Sequence, residues 1–119
     1  MGYNIPDCEE TKTMTASGVV YAHPCWLTSF LEAGDAANDF QATLSDTAST
    51  PAGSWEEKIP THPVDAGAYG VLGVEKGRPS YCHNGLYLTV EAVGGGAFGG
   101  ACEIVVGFHP ASGNIKRSD

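Results

Sequence analysis

The fold is decided by residues 84–109, which read NGLYLTVEAVGGGAFGGACEIVVGFH. In both halves of this stretch apolar side chains recur at every second position, the period of a β-strand with one buried face. These positions are Leu86, Leu88, Val90 and Ala92 in the first half, and Cys102, Ile104, Val106 and Phe108 in the second. A glycine-rich connection joins the halves. The stretch is therefore predicted to be the central hairpin of a β-sheet domain, with a second layer covering it.

The rest of the chain also predicts short strands separated by turn residues. Residues 11–21 are rich in threonine and valine, which favours two short strands with a bulge or bend at Gly18. Residues 40–45 alternate cleanly and predict a half-buried strand. Residues 25–32 are apolar on both faces and predict an interior strand. Its two faces are predicted to carry Cys25, Leu27 and Leu31 on one side and Trp26, Thr28 and Phe30 on the other.

The segment that begins at Ser54 carries signals for both a helix and a strand. Ser54 and Glu57 have the spacing of a helix capping box. Pro60 would end such a helix almost at once, and very short helices are unstable. We therefore expect an edge strand that presents Trp55, Glu57 and Ile59 on one face.

Length and composition limit the architecture. The chain has 119 residues, the size of one ordinary domain. About seven to eight short strands with turn residues between them are typical of a β-sandwich or barrel. We predict an all-β protein, a single antiparallel β-sandwich or jelly-roll-like domain over residues 11–109. Residues 1–10 are predicted to form a flexible N-terminal arm, and residues 110–119 a C-terminal tail.

The charge balance indicates which partners to expect. Fourteen acidic residues against six basic ones give a net charge of −8, so the surface should repel nucleic acid and anionic membranes. No apolar run approaches the ~18 residues of a membrane-spanning helix, and the N-terminus lacks the pattern of a secretory signal. We expect synthesis in the cytoplasm, reduced cysteines, and no nucleic-acid or membrane partner.

The spacing of the candidate ligands does not favour a metal or cofactor site. No CxxC, CxxH or HxxxH pattern occurs, and Cys82 and His83 are neighbours that point to opposite faces of a strand. Asp35 and Asp39 lack the register of a calcium loop. The glycines of residues 94–100 are not followed by the lysine and hydroxyl residue of a phosphate loop. We therefore expect no metal and no cofactor.

Catalysis is not favoured either. Ser17 is not part of a G-x-S-x-G elbow. Glu56 and Glu57 are adjacent, and on a strand they would point apart and could not share a proton. We expect no catalytic residues and conclude that the sequence does not predict an enzyme.

Contact with other molecules is expected through a few exposed side chains. Five aromatic residues are candidates for stacking platforms, and Trp55, which is set among charged residues, is the one favoured for a surface role. The others are expected to pack in the core or on a sheet face. In the N-terminal arm, Tyr3 and Ile5 are candidate anchors on a neighbouring subunit. The five aromatic residues are Trp26, Trp55, Tyr69, Tyr81 and Tyr87.

Three groups of residues form a recognisable layout. They are Ala16, Ser17, Gly18 and Val20; Thr43, Leu44 and Asp46; and Asn84, Gly85, Leu86, Tyr87 and Val90. This layout resembles that of small virion proteins of tailed bacteriophages, in which an N-G-L-Y-x-x-V strand pairs with a final V-x-V strand. The resemblance covers most of the chain but leaves out the leader and the tail. Cys25 and Trp26, and the SWEEKIPTHP segment at residues 54–63, depart from it.

The resemblance implies a β-sandwich that occupies a virion in several symmetric copies. The expected function is that of a capsid decoration or cement protein, which binds between major capsid subunits as a homo-oligomer and stiffens the shell. An alternative is a neck, tail or fibre-associated virion protein. A third, from a different class, is a carbohydrate-binding module that uses Trp55 and the loops.

Overall fold

A computed structural model describes residues 3–4, 10–71, 80–111 and 116–117, with residues 3–4, 69–71 and 116–117 described by their backbone alone. The strands are β1 (Tyr3–Asn4), β2 (Glu10–Met14), β3 (Gly18–Tyr21), β4 (Cys25–Ala33), β5 (Phe40–Ser45), β6 (Glu57–Val64), β7 (Tyr69–Val71), β8 (Ser80–Cys82), β9 (Leu86–Ala92), β10 (Glu103–Pro110) and β11 (Lys116–Arg117). Within the described residues the only helical segment is a 3-10 turn at Ser54–Glu56. No helix there is long and apolar enough to cross a membrane.

Nine of these strands form two antiparallel sheets around one core. Sheet one has the order β2-β10-β4-β7, with β8 also paired to β4, and sheet two has the order β3-β9-β5-β6. β1 and β11, which lie in the predicted arm and tail, pair with each other. This architecture confirms the predicted all-β sandwich.

The predicted hairpin of residues 84–109 is wrong. β9 pairs with β3 and β5 in sheet two, whereas β10 pairs with β2 and β4 in sheet one. Residues 93–102 therefore cross between the sheets, and the two alternating faces line one shared core. The strands of residues 11–21 behave in the same way, because β2 and β3 also belong to different sheets.

The predicted faces of residues 25–32 hold for only half of the strand. Gly107 pairs with Ser29 and Phe108 pairs with Leu27, so Thr28 is the extra residue of a β-bulge. The bulge reverses the alternation. Beyond it Phe30 and Glu32 are buried, and Leu31, which was expected beside Cys25 and Leu27, is only half-buried.

The strand predicted at residues 55–59 is an edge strand, and it begins later and runs further. Trp55 lies in the 3-10 turn, and β6 continues through Pro60 and Pro63 to Val64. An edge strand tolerates proline because the N–H groups on its free side need no ladder partner. β6 pairs only with β5 among the described strands. The capping box indicated at Ser54 does not form, because Gly53 is the N-cap of the 3-10 turn and no side chain caps it.

The core lies between the sheets and is built from apolar side chains of both. Leu88 of sheet two and Ile104 of sheet one are each completely buried. Burying a side chain of this size stabilises the fold by about 1.5–3 kcal/mol. The other large side chains that are completely buried are Leu27, Phe30, Phe40, Leu44, Leu86 and Val106.

Candidate functional site

The carboxylate of Asp46 ties the end of β5 to the start of β9. It accepts hydrogen bonds from the backbone N–H groups of His83 at 2.9 Å, Asn84 at 2.8 Å and Gly85 at 3.3 Å. A carboxylate can satisfy several donors because its two oxygens offer about four lone-pair sites. The Asn-Gly turn is therefore held by one side chain from another strand.

Ser17 makes a comparable tie between β3 and β9. Its hydroxyl accepts a hydrogen bond from the Val90 N–H at 2.8 Å and donates one to the Val90 carbonyl at 3.2 Å. The described ladder between these strands reaches only from Tyr21 to Gly18. Ser17 precedes β3, and its hydroxyl therefore satisfies the N–H and the carbonyl of Val90, which β3 does not reach.

Hydroxyl and carboxylate groups line a concave surface on the outer face of sheet two, which we call the outer cleft. Its volume is about 310 Å³, near the lower end of the ~300–1,000 Å³ range of small-molecule sites. Residues 50–53 form one wall. The strand residues that line it are Thr43, Ser45, Glu57, Thr61, Thr89 and Glu91.

The strand register places these side chains in rows across the sheet. Thr89 of β9 is opposite Thr43 of β5, and the Thr43 hydroxyl lies 2.6 Å from that of Thr61 on β6. Ser45 is opposite Glu57 in the next row. Successive strands therefore present a continuous run of hydroxyl groups on one face, and a carboxylate stands beside it.

A second carboxylate is oriented by a neighbouring amide. The Gln41 side chain donates a hydrogen bond to Oε1 of Glu91 at 3.2 Å, and Gln41 and Glu91 are paired across β5 and β9. The amide holds one oxygen of Glu91. This fixes the carboxylate at the margin of the outer cleft.

Ser45 is the least satisfied polar residue of the outer cleft. It is completely buried, and its hydroxyl has no hydrogen-bond partner within the described part of the chain. A buried hydroxyl left without a partner costs about 1–3 kcal/mol. A ligand that offered a donor or acceptor to this group would remove that cost.

Trp55 stands at the rim of the outer cleft and is 79% exposed. A side chain added at Gly53 would collide with the six-membered part of the Trp55 ring, so the indole lies directly over the wall residue Gly53. Glu56, which follows, accepts a hydrogen bond from the Ala52 N–H at 2.6 Å. The rim is therefore built as a short closed turn with an aromatic ring on its surface.

The two adjacent glutamates lie in different elements, and Glu56 is in the 3-10 turn rather than on the predicted strand. Glu56 closes the turn at the rim, whereas Glu57 begins β6 and faces the outer cleft.

A buried ionisable pair joins the two sheets. Oε2 of Glu32 lies 2.8 Å from Nε2 of His62, and Glu32 is only 5% exposed. Burial raises the pKa of the Glu32 carboxyl, and the hydrogen bond and charge of His62 oppose that rise. No local sequence pattern predicts this pair, because the bulge at Thr28 turns Glu32 inward.

The candidate metal ligands are dispersed. Within the described residues no group of three or more His, Cys, Asp or Glu side chains could hold a metal ion. Asp35 accepts the N–H groups of Ala37 at 2.7 Å and Ala101 at 2.5 Å, which lowers the pKa of its carboxyl. Asp39 accepts the Ala66 N–H at 2.7 Å. Both aspartates thus hold loops together.

Three cysteines are free and buried: Cys25, Cys82 and Cys102. Cys25 and Cys82 are direct partners across β4 and β8. The hydrogen bond with Cys25, and then burial, raises the pKa of the Cys82 thiol, whereas the same bond lowers the pKa of Cys25 against the effect of burial. Burial raises the pKa of Cys102. A raised pKa makes a thiol a poor nucleophile.

The structure describes the side chains of some of the other aromatic and contact residues singled out in the sequence. The Trp26 ring packs on Tyr81 with centroids 4.8 Å apart, and both are half-buried, as expected for packing on a sheet face. Tyr87 is half-buried on β9. The side chains of Tyr3 and Tyr69, and the whole of Ile5, lie outside the described residues.

Comparison with protein-family models, with curated proteins and with solved structures gave no match.

Proposed function

We propose that this chain is a non-enzymatic structural protein of a tailed-phage virion, and specifically a capsid decoration protein that binds between major capsid subunits. The proposal rests on the resemblance of three residue groups to small virion proteins. One observation supports it: two of the residues that carry the resemblance tie strands of sheet two together. Ser17 ties β3 to β9 and Asp46 ties β5 to β9.

This placement favours a role based on shape. Of the matched residues, Ser17 and Asp46 satisfy backbone groups, and Thr43 reaches the outer cleft. Four others lie in the core: Val20, Leu44, Leu86 and Val90. Because residues that carry the resemblance stabilise the sandwich, we expect the protein to act through the surface that the sandwich presents. An acidic sandwich with exposed sheet edges offers several such surfaces to a shell of repeated subunits.

The energetic mechanism is mass action. A protein that binds the assembled shell, and not free capsid subunits, stabilises the shell by the free energy of binding. Each bound copy therefore raises the temperature or the internal pressure at which the capsid is disrupted.

The test is binding of the purified protein to expanded capsids that lack it. We expect saturable binding of many copies per particle and a higher temperature of capsid disruption. Failure to associate with expanded capsids contradicts the proposal. A particle reconstruction that places a few copies at the neck or tail contradicts the decoration role and supports the alternative virion location.

A paired variant tests the contact residues predicted in the arm. Tyr3→Ala combined with Ile5→Ala should weaken capsid binding and leave the sandwich folded, because the two sheets of the sandwich begin at Glu10. Asn4→Ala, in the same segment, is the control and should bind as the natural sequence does. Equal binding by the double variant and the control would show that the arm is not the contact.

A further inference from the structure

We propose that the outer cleft is a binding site for a neutral saccharide. This inference goes beyond the proposed function, because it requires only the described residues of sheet two and holds whether or not the chain resides on a virion. The ligand class follows from the polar groups, the charge and the aromatic ring of the site.

The polar groups of the outer cleft match those of a polyhydroxyl ligand. Hydroxyls both donate and accept, and carboxylates only accept. The hydroxyls of Thr43, Thr61 and Thr89 can therefore donate hydrogen bonds to ligand hydroxyls or accept them. The carboxylates of Glu57 and Glu91 accept hydrogen bonds that ligand hydroxyls donate. Gln41 already fixes one oxygen of Glu91, so that carboxylate is presented in a defined orientation.

The unpartnered hydroxyl of Ser45 is an independent indication of a binding site. Its hydroxyl is completely buried, lines the outer cleft and has no partner within the described part of the chain. Buried polar groups in proteins are nearly always hydrogen-bonded. A ligand hydroxyl seated at the floor of the cleft would satisfy it.

Charge decides against an anionic ligand. Two carboxylates face the outer cleft, the chain carries a net charge of −8, and none of the strand residues that line it is basic. A phosphate or an acidic sugar would be repelled. The described residues also offer no metal-binding group that would reverse this charge.

Trp55 supplies the apolar surface that a sugar ring needs. Its indole covers Gly53 with one face, and 79% of the side chain is exposed. Aromatic rings provide a flat apolar surface with a polar edge. A pyranose would stack on the face of the Trp55 ring that Gly53 leaves free.

The experiment screens the full chain against an array of immobilised neutral mono- and oligosaccharides, followed by titration of the best binder in solution. We expect binding to at least one neutral glycan. Amide NMR shifts on titration should be concentrated at Thr43, Ser45 and Thr89. No binding to any neutral glycan, or binding confined to anionic glycans, would overturn the proposal.

Matched variants separate the outer cleft from other surfaces. Trp55→Ala and Ser45→Ala should each weaken binding by about tenfold, the effect of losing one good contact. Both should stay folded, because Trp55 is exposed and the Ser45 hydroxyl has no partner to lose. Val93→Ala is the control, since Val93 is 58% exposed and does not line the cleft. Binding that survives both cleft variants places the glycan elsewhere and contradicts the proposal.

The outcome is distinguishable from that of the decoration role. Capsid binding without glycan binding would contradict only the proposed saccharide site. Glycan binding without capsid binding would contradict only the proposed decoration role.

Discussion

Nε2 of His62 on β6 lies 2.8 Å from Oε2 of Glu32 on β4 and so links the two sheets of the sandwich. Nδ1 of His62 lies 2.8 Å from the Pro60 carbonyl, which can only accept, so Nδ1 carries a hydrogen. Nε2 lies 2.8 Å from Oε2 of Glu32, and one hydrogen must lie between these two atoms for them to attract. β4 of sheet one and β6 of sheet two are therefore linked by a bond that depends on protonation.

We expect the free energy of unfolding to respond to pH through Glu32. Its pKa is raised in the folded state by burial, so the folded chain holds a proton that the unfolded chain releases. Its contribution to stability is complete below the ordinary glutamate pKa of ~4.3 and is lost as the pH rises through the folded-state value. Denaturant unfolding over a series of pH values should show this decline in the natural sequence.

Glu32→Gln should remove the decline. The amide does not titrate, so the difference in stability between the variant and the natural sequence should change steadily over that pH window. Glu103→Gln, on the exposed side of β10, is the charge-matched control and should keep the slope. An unchanged slope in Glu32→Gln would show that Glu32 is not the group responsible.

Replacing Asp46 should destabilise the fold by more than its partial exposure suggests. Asp46→Ala leaves the N–H groups of His83, Asn84 and Gly85 without their acceptor. Hydrogen bonds to a charged group each contribute about 1.5–3 kcal/mol, and solvent can replace some of them here. We expect a loss of about 2 kcal/mol in denaturant unfolding, against little change for Glu103→Ala. If Asp46→Ala lowers the free energy of unfolding no more than Glu103→Ala does, the Asn-Gly turn is stable without the Asp46 carboxylate.

Two glycine substitutions should differ sharply. Gly85 has a φ of +139°, and a β-carbon there would collide with the Tyr21 carbonyl of β3. Gly99 has open space around the same position. Gly85→Ala should cost more than about 1 kcal/mol and lower the melting temperature by several degrees. Gly99→Ala should be neutral, and equal melting temperatures would contradict the close approach of β3 and the Asn-Gly turn.

The three described cysteines should resist thiol reagents in the native state. Their thiols are buried, and the pKa values of Cys82 and Cys102 are raised. In a Cys8→Ser background, a chromogenic disulfide reagent at neutral pH should react at the rate of unfolding, and three thiols should be counted in denaturant. Fast reaction without denaturant would show that β8 opens readily from β4.

The sequence predicts which face of each strand is buried better than it predicts which strands are neighbours. Alternation placed Leu86, Leu88, Ile104 and Val106 correctly in the core. It could not say that β9 and β10 belong to opposite sheets, because two strands that pair and two strands that face each other show the same period. The long glycine-rich connection suits either arrangement.

Irregularities in the ladder explain most of what the sequence missed. The bulge at Thr28 follows from the pairing of β4 with β10, which is a long-range property. Because it shifts the alternation by one residue, Glu32 moves into the core and meets His62. No local pattern around Glu32 indicates this.

The candidate site was predictable in part. Alternation placed Gln41, Thr43 and Ser45 together on the outer face of β5, and composition singled out Trp55 as a surface aromatic. The outer cleft itself arises only when residues 50–53 fold back beside these strands. A side chain expected to be solvated, Ser45, is thereby completely buried.

The inner positions of β9 and β10 determine the order in which the strands can pair while the chain is being synthesised. β9 lies between β3 and β5, and β10 lies between β2 and β4. β2 and β3 therefore stay without their described partners until β9 and β10 have been synthesised, although β5 and β6 can pair earlier. A premature stop within the glycine-rich connection would deprive sheet one of β10, the strand that joins β2 to β4, and so prevent closure of the sandwich.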